Sequence, residues 1–115
     1  MINYDGRRFR AAEAGPDGQA PVALYRQEGD LVWAEFAGGE VRRGSLAGTC
    51  AADGTIDFAY CMVRDDGRVI SGRSLSTPQV LADGRIRLHE TWERYGQHAD
   101  RGTSYLEEVA QVGRG

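Results

Sequence analysis

Residues 53–67 read Asp53-Gly54-Thr55-Ile56-Asp57-Phe58-Ala59-Tyr60-Cys61-Met62-Val63-Arg64-Asp65-Asp66-Gly67. A strand-length run of β-branched and aromatic residues lies between two Asp-Gly pairs. Asp-Gly supplies the positive φ that a tight hairpin turn needs. The stretch therefore predicts one strand, hairpinned at both ends to antiparallel neighbours. The same punctuation recurs outward: Asp5-Gly6, Asp17-Gly18, Glu28-Gly29-Asp30, Gly38-Gly39 and Asp83-Gly84. Strands are expected over 7–12, 21–28, 31–37, 40–52, 55–64, 68–81, 85–95 and 102–109. Residues 13–20 read as a Gly/Pro loop and 96–101 as a polar connection. No segment of helical length shows an apolar period of 3.6. Pro78 falls inside a strand, where its missing N–H predicts an edge or a bulge.

The fold class is all-β. Eight sequential antiparallel strands form an up-and-down meander, and rolling it into a small β-barrel removes both edges. This is the architecture of lipocalins and streptavidin, whose interior just holds side chains or one small ligand. A length of 115 residues makes residues 1–115 a single domain.

A net charge of -3 and a pI near 5.3 argue against nucleic acid as a partner, since that role calls for a basic face. All 14 positive side chains are arginine, so lysine Schiff-base chemistry is excluded. No run reaches the roughly 20 apolar residues of a membrane span. The start lacks the apolar core of a signal peptide, so a cytoplasmic address is expected. Cys50 and Cys61 fall out of register across the 53–54 turn and are expected to be unlinked thiols.

Two-residue turns at each Gly-bearing pair assign faces, because opposed residues of an antiparallel pair share one. They place Val32, Ala34, Phe36, Val41, Ile56, Phe58, Tyr60, Met62, Leu75, Ile86, Leu88 and Trp92 inside. The polar residues Arg43, Arg73, Thr77 and Glu90 join them, with Arg73 opposite Tyr60 and Thr77 opposite Glu90. Arg42, Arg68, Arg87, His89 and Glu93 face outward. Leu31, Trp33, Leu46, Val63 and Ile70 also fall outside, among Gly44, Gly48, Ala59, Cys61 and Gly72. That smooth apolar patch predicts a homodimer interface. An error of one residue at any turn would invert the strands beyond it.

Two readings of the polar interior stand side by side. Glu90 and Arg73 are a buried pair that compensates itself, or they belong to a ligand pocket. In the pocket, Arg73 holds a carboxylate or phosphate, with Arg43 a further cation. Tyr60 and Glu90 place hydrogen bonds, and Phe58 and Trp92 are walls. No cofactor and no metal are expected: His98-Ala99-Asp100 offers two donors and His89 lies on a strand exterior. Ser74, Ser76 and Thr77 lie in no nucleophile elbow, and the glycines form no phosphate loop.

Several stretches resemble a family of small bacterial proteins often labelled N-acetylglutamate synthase. They are Ile2-Asn3-Tyr4-Asp5-Gly6-Arg7, Ala34-Glu35-Phe36-Ala37-Gly38-Gly39, Ser76-Thr77-Pro78, Asp83-Gly84-Arg85-Ile86-Arg87-Leu88, Glu90-Thr91-Trp92 and Ser104-Tyr105-Leu106-Glu107-Glu108-Val109. Ala37 stands where Ser is usual, and Gln79 where Glu often follows Ser-Thr-Pro. The resemblance implies acetyl transfer from acetyl-CoA to the amino group of glutamate. The pyrophosphate-binding segment Arg/Gln-x-x-Gly-x-Gly/Ala of common acetyltransferases is absent, since Arg26-Gln27-Glu28-Gly29 continues with Asp30-Leu31. Three expectations follow: a barrel binding a small polar or anionic ligand, an N-acetyltransferase using Glu90 or Tyr60 as acid or base, and a structural homodimer with a filled core.

Overall fold

The structure is a computed structural model that describes residues 2–12 and 20–109. Its strands are β1 (Arg8–Ala11), β2 (Val22–Glu28), β3 (Leu31–Gly38), β4 (Val41–Cys50), β5 (Ile56–Arg64), β6 (Val69–Val80), β7 (Ile86–Arg94) and β8 (Asp100–Glu108). Each pairs antiparallel with the next, and β8 pairs with β1, so the barrel is closed. All eight expected strands occur, with ends within two residues of expectation. One turn of 3-10 helix, Gly96–His98, joins β7 to β8. The loop expected at 13–20 lies almost wholly outside the described residues.

The Asp-Gly turns are longer than the sequence reading had them. Gly54 N–H donates to the Ala51 carbonyl at 2.9 Å, and Ala51 N–H donates to the Thr55 carbonyl at 2.8 Å. Asp53 Oδ1 accepts the Thr55 N–H at 2.9 Å. The same bonds recur across Arg64–Arg68 and Leu81–Arg85. Gly54, Gly67 and Gly84 have φ of 90°, 86° and 89°. These are three-residue loops in which a turn is completed by a left-handed glycine.

One extra loop residue reverses the pairing parity. The pairs are Cys50↔Ile56, Ile56↔Ser76 and Val80↔Ile86. A one-residue slip turns every side chain of a strand to the other face. Two successive slips cancel. At the first hairpin Gly38 pairs with Val41, and a bulge then sets Phe36 opposite Gly44. Val41, Arg42, β5 and β7 therefore face as expected, while β6 and β4 from Arg43 onward are reversed.

The corrections follow directly. Leu46 and Ile70 are buried inside, with Gly44 and Gly72 beside them. Leu75 is 47% exposed, and Arg73, Thr77 and Arg43 point outward. The expected outer patch loses Leu46 and Ile70 but keeps exposed Leu31 and Trp33. Cys50 is buried and Cys61 exposed, and both are free. Pro78 lies past Ser76, where β5 no longer pairs with β6, so its missing N–H leaves no ladder bond unmade.

One end of the barrel is packed shut. Tyr4, Phe9 and Tyr25 form an aromatic cluster with ring centroids 4.9–6.2 Å apart. Val32, Ile56, Ile86 and Leu88 pack around it, all at 2% exposure or less. The segment before β1 is the plug. Tyr4 donates its hydroxyl to the Gly54 carbonyl at 2.6 Å, and its N–H to Gln27 Oε1 at 2.8 Å. Glu108 closes the β8–β1 seam, accepting from Arg7 at 2.8 Å and from the Ile86 N–H at 3.1 Å. Among the described residues no helix is long and apolar enough to cross a membrane.

Candidate functional site in the barrel lumen

The other end is open. A cavity of about 400 Å³ runs from mid-lumen to the end carrying Ala11, Pro21, Val41, Arg64 and Arg94. That is within the roughly 300–1,000 Å³ typical of small-molecule sites. Phe36, Phe58, Tyr60 and Trp92 supply aromatic wall, and Leu46 and Met62 aliphatic wall. The side chains of the lumen thus leave space at this end instead of the filled core expected of a purely structural barrel.

The deep part of the cavity is polar. Glu90 is only 9% exposed. Burial pushes its carboxyl up to about 7, against the Ser76 hydroxyl, which donates to Oε2 at 2.9 Å and pulls the other way. Near neutrality Glu90 is thus divided between a form that only accepts hydrogen bonds and one that can also donate. Two further groups line the same region without partners: the Tyr25 hydroxyl and the Ser74 hydroxyl. Tyr25 is wholly buried, and its pKa is raised by burial first, then by the nearby Glu90 and Tyr4. A buried hydroxyl with no partner forfeits about 1–3 kcal/mol of solvation. Such groups call for a partner from outside the chain.

Two arginines stand at the mouth. Arg64 pairs with Glu40 but leaves its buried Nε unbonded. Arg94 likewise has a buried unbonded Nε, and its guanidinium lies 5.2 Å from the Trp92 ring centre. The Tyr60 hydroxyl is pushed up by burial, and Arg94 beside it acts in the opposite sense.

Four of the sequence-derived site residues therefore lie in the lumen: Phe58, Tyr60, Glu90 and Trp92. Two do not. Arg73 sits on the outer surface in a bidentate pair with Asp57, Nε–Oδ1 2.9 Å and Nη2–Oδ2 2.7 Å. Arg43 pairs with Glu35 on the outside at 2.9 Å. The expected Glu90–Arg73 pair thus does not form, and Glu90 faces Ser76 instead of Thr77. His89 is outside, its ring tilted against Tyr105 with centroids 4.9 Å apart. No cluster of metal-ligating side chains occurs among the described residues.

Sequence reasoning missed Arg64, Arg94, Tyr25, Ser74 and Ser76. Arg64 continues the alternation Ile56–Phe58–Tyr60–Met62, and Arg94 continues Glu90–Trp92, so both were within reach. Tyr25 pairs with Ala34 across a two-residue turn at Gly29-Asp30, which the Gly spacing also signals. Ser74 and Ser76 were hidden by the slip in β6.

A closed antiparallel barrel with a mainly apolar lumen, polar at its deep part and open at one end, defines a class: barrels that enclose a small ligand. The family model for avidin-like proteins matches residues 2–109. The chain belongs to the avidin-like family. No curated protein and no solved structure matches it. The resemblance to proteins labelled N-acetylglutamate synthase is corrected by this assignment: the stretches that carried it are the turns and strands of an avidin-like barrel.

Proposed function

We propose that the chain is a binding protein that takes one small ligand, polar at one end, into its lumen. The observation that carries this reading is the pair of buried, unpartnered hydroxyls of Tyr25 and Ser74 beside Glu90, in a cavity open to solvent. A ligand head with both donors and acceptors satisfies all three. Its apolar body lies among Phe36, Phe58 and Trp92. Arg64 and Arg94 favour an anionic group at the mouth, where their unbonded Nε atoms supply charged donors. Glu90 owes its raised pKa to burial, so binding accounts for it without acid–base catalysis.

Thermal melting and calorimetry against a panel test the reading. The panel comprises biotin, a known ligand of avidin-like barrels, short apolar carboxylates, and glutamate and CoA as polar controls. A ligand present at 100 times its Kd raises stability by about 2.7 kcal/mol. The expected result is a shift by at least one apolar acid that Tyr25→Phe with Ser74→Ala abolishes. A shift that survives both substitutions would place the ligand elsewhere.

The same reading includes a homodimer formed through the outer face around Trp33. Leu31 and Trp33 remain exposed there, with the small residues Ala47 and Ala59 in register beside Trp33 and exposed Leu75 beyond Asp57 in the row of Leu31. Sedimentation of wild type and Trp33→Asp tests it: a wild-type monomer removes the dimer.

A further inference from the structure

Four of the aromatic side chains that line the lumen stand directly across from a glycine in the strand register. The pairs are Phe36↔Gly44, Gly48↔Phe58, Tyr60↔Gly72 and Trp92↔Gly102. A methyl group added at Gly44 would lie 2.3 Å from the Phe36 ring, and one at Gly102 would lie 2.7 Å from the Trp92 indole. At Gly72 it would meet the Tyr60 hydroxyl at 2.7 Å, and at Gly48 the Phe58 Cβ at 2.6 Å. At Gly44, Gly72 and Gly102 the opposed aromatic side chain thus occupies the space that a Cβ would fill, lying along the barrel wall, whereas at Gly48 that space is taken by the backbone and Cβ of the facing strand. Large side chains that stood off the wall would fill a lumen of this strand number. Glycine inside a strand weakens it, and such positions mark close approach by another group.

We infer that the glycines opposite these rings set the bore of the lumen, and that Gly44 and Gly102 are specificity-determining positions for the size of the ligand. The inference rests on the lumen being the ligand site. The two other glycines also hold the backbone together. A Cβ at Gly48 would meet the Asp57 carbonyl oxygen at 2.0 Å, and one at Gly72 the Glu93 carbonyl oxygen at 2.1 Å. Substitution there strains the barrel itself. At Gly44 and Gly102 the nearest atoms all belong to the opposed ring. The ring can swing into the lumen while the strands stay in place. Both positions lie in strands outside the left-handed region, so alanine is tolerated by the backbone.

The test has two independent arms. The first is the crystal structure of Gly102→Ala. Its expected result is an indole of Trp92 displaced into the lumen; an indole left in place overturns the inference, whatever the ligand does. The second uses 1-anilinonaphthalene-8-sulfonate, an aromatic anion, as the probe. Wild type is expected to bind it, Gly102→Ala at least tenfold more weakly, and Gly102→Ala with Trp92→Phe close to wild type, because the smaller ring restores the room. Gly44→Ala is expected to act in the same direction through Phe36. Equal affinities for wild type and Gly102→Ala, or no rescue by Trp92→Phe, overturn the inference. Wild type failing to bind the probe, with the indole displaced in the crystal, counts against the lumen as the site for such anions and leaves the geometric inference upheld by the first arm.

Discussion

The two ends of the barrel are built from the same strands and have opposite characters. At the closed end, Tyr4, Phe9, Ile56 and Leu88 are almost wholly buried, and Tyr4 has its polar atoms satisfied by Gly54 and Gln27. Where that cluster meets the cavity, the Tyr25 hydroxyl has no partner, and further along toward the open end Ser74, Arg64 and Arg94 each carry a buried polar atom with none. Packing without orphans stabilises. Orphans that line a cavity are stabilised by any molecule that supplies their partners. The closed end holds the fold so that the open end can keep unsatisfied groups in position.

The largest expected effect lies at the closed end. Phe9→Ala and Leu88→Ala each remove a side chain buried to within 1%. Costs of about 2–5 kcal/mol are expected in urea melts. A cost under about 1 kcal/mol at both positions would mean that this end is not the stabilising core.

Glu90 comes next. Its folded pKa is raised from the ordinary 4.5 to about 7. An acid raised by folding leaves stability intact below the unfolded pKa and reduces it as pH rises through the folded one. Stability should therefore fall between about pH 4.5 and 7 by on the order of 3 kcal/mol from this group. Glu90→Gln removes the charge and keeps the volume. It is expected to be more stable than wild type at pH 8, with the difference vanishing near pH 4. Among the described residues no salt bridge involves Glu90, so destabilisation by this substitution at pH 8 would show that the carboxylate is paired after all.

A smaller effect is expected at Ser74. Its hydroxyl has no partner, so Ser74→Ala should change stability by less than about 1 kcal/mol and leave the fold intact. Ligand-induced stabilisation should fall nonetheless. A large stability loss would mean that the hydroxyl is bonded and that the two ends are more alike than described.

The smallest effect belongs outside the lumen. The Arg73–Asp57 pair is exposed and screened by solvent. Arg73→Ala is expected to melt with wild type and to leave ligand response unchanged. A lost ligand response would return Arg73 to the site.

The strand count, the meander order and the closed barrel were legible because they depend on local features. Turn residues come at strand-length intervals, and β-rich segments lie between them. Faces were legible where errors cancelled. Tyr60, Phe58, Glu90 and Trp92 were assigned inward correctly although each Asp-Gly turn was read one residue short. Arg73, Leu75, Leu46 and Ile70 were assigned wrongly because an odd number of slips preceded them. The family resemblance drew on those same turns and strands, which is why it spanned the chain and still pointed to the wrong family.

The sequence by itself determined that this chain is an antiparallel β-barrel, because strand propensity and left-handed glycine turns act over a few residues. Only the tertiary structure decided which side chains meet in the lumen. Alternation has a period of two, so the choice of face rests on one turn residue that short-range pattern does not settle. Tertiary structure also decided that Glu90 faces Ser76 rather than Arg73, and that Phe36, Tyr60 and Trp92 lie over Gly44, Gly72 and Gly102. Those contacts join neighbouring strands of single hairpins, so each depends on a register that one turn residue or one bulge resets.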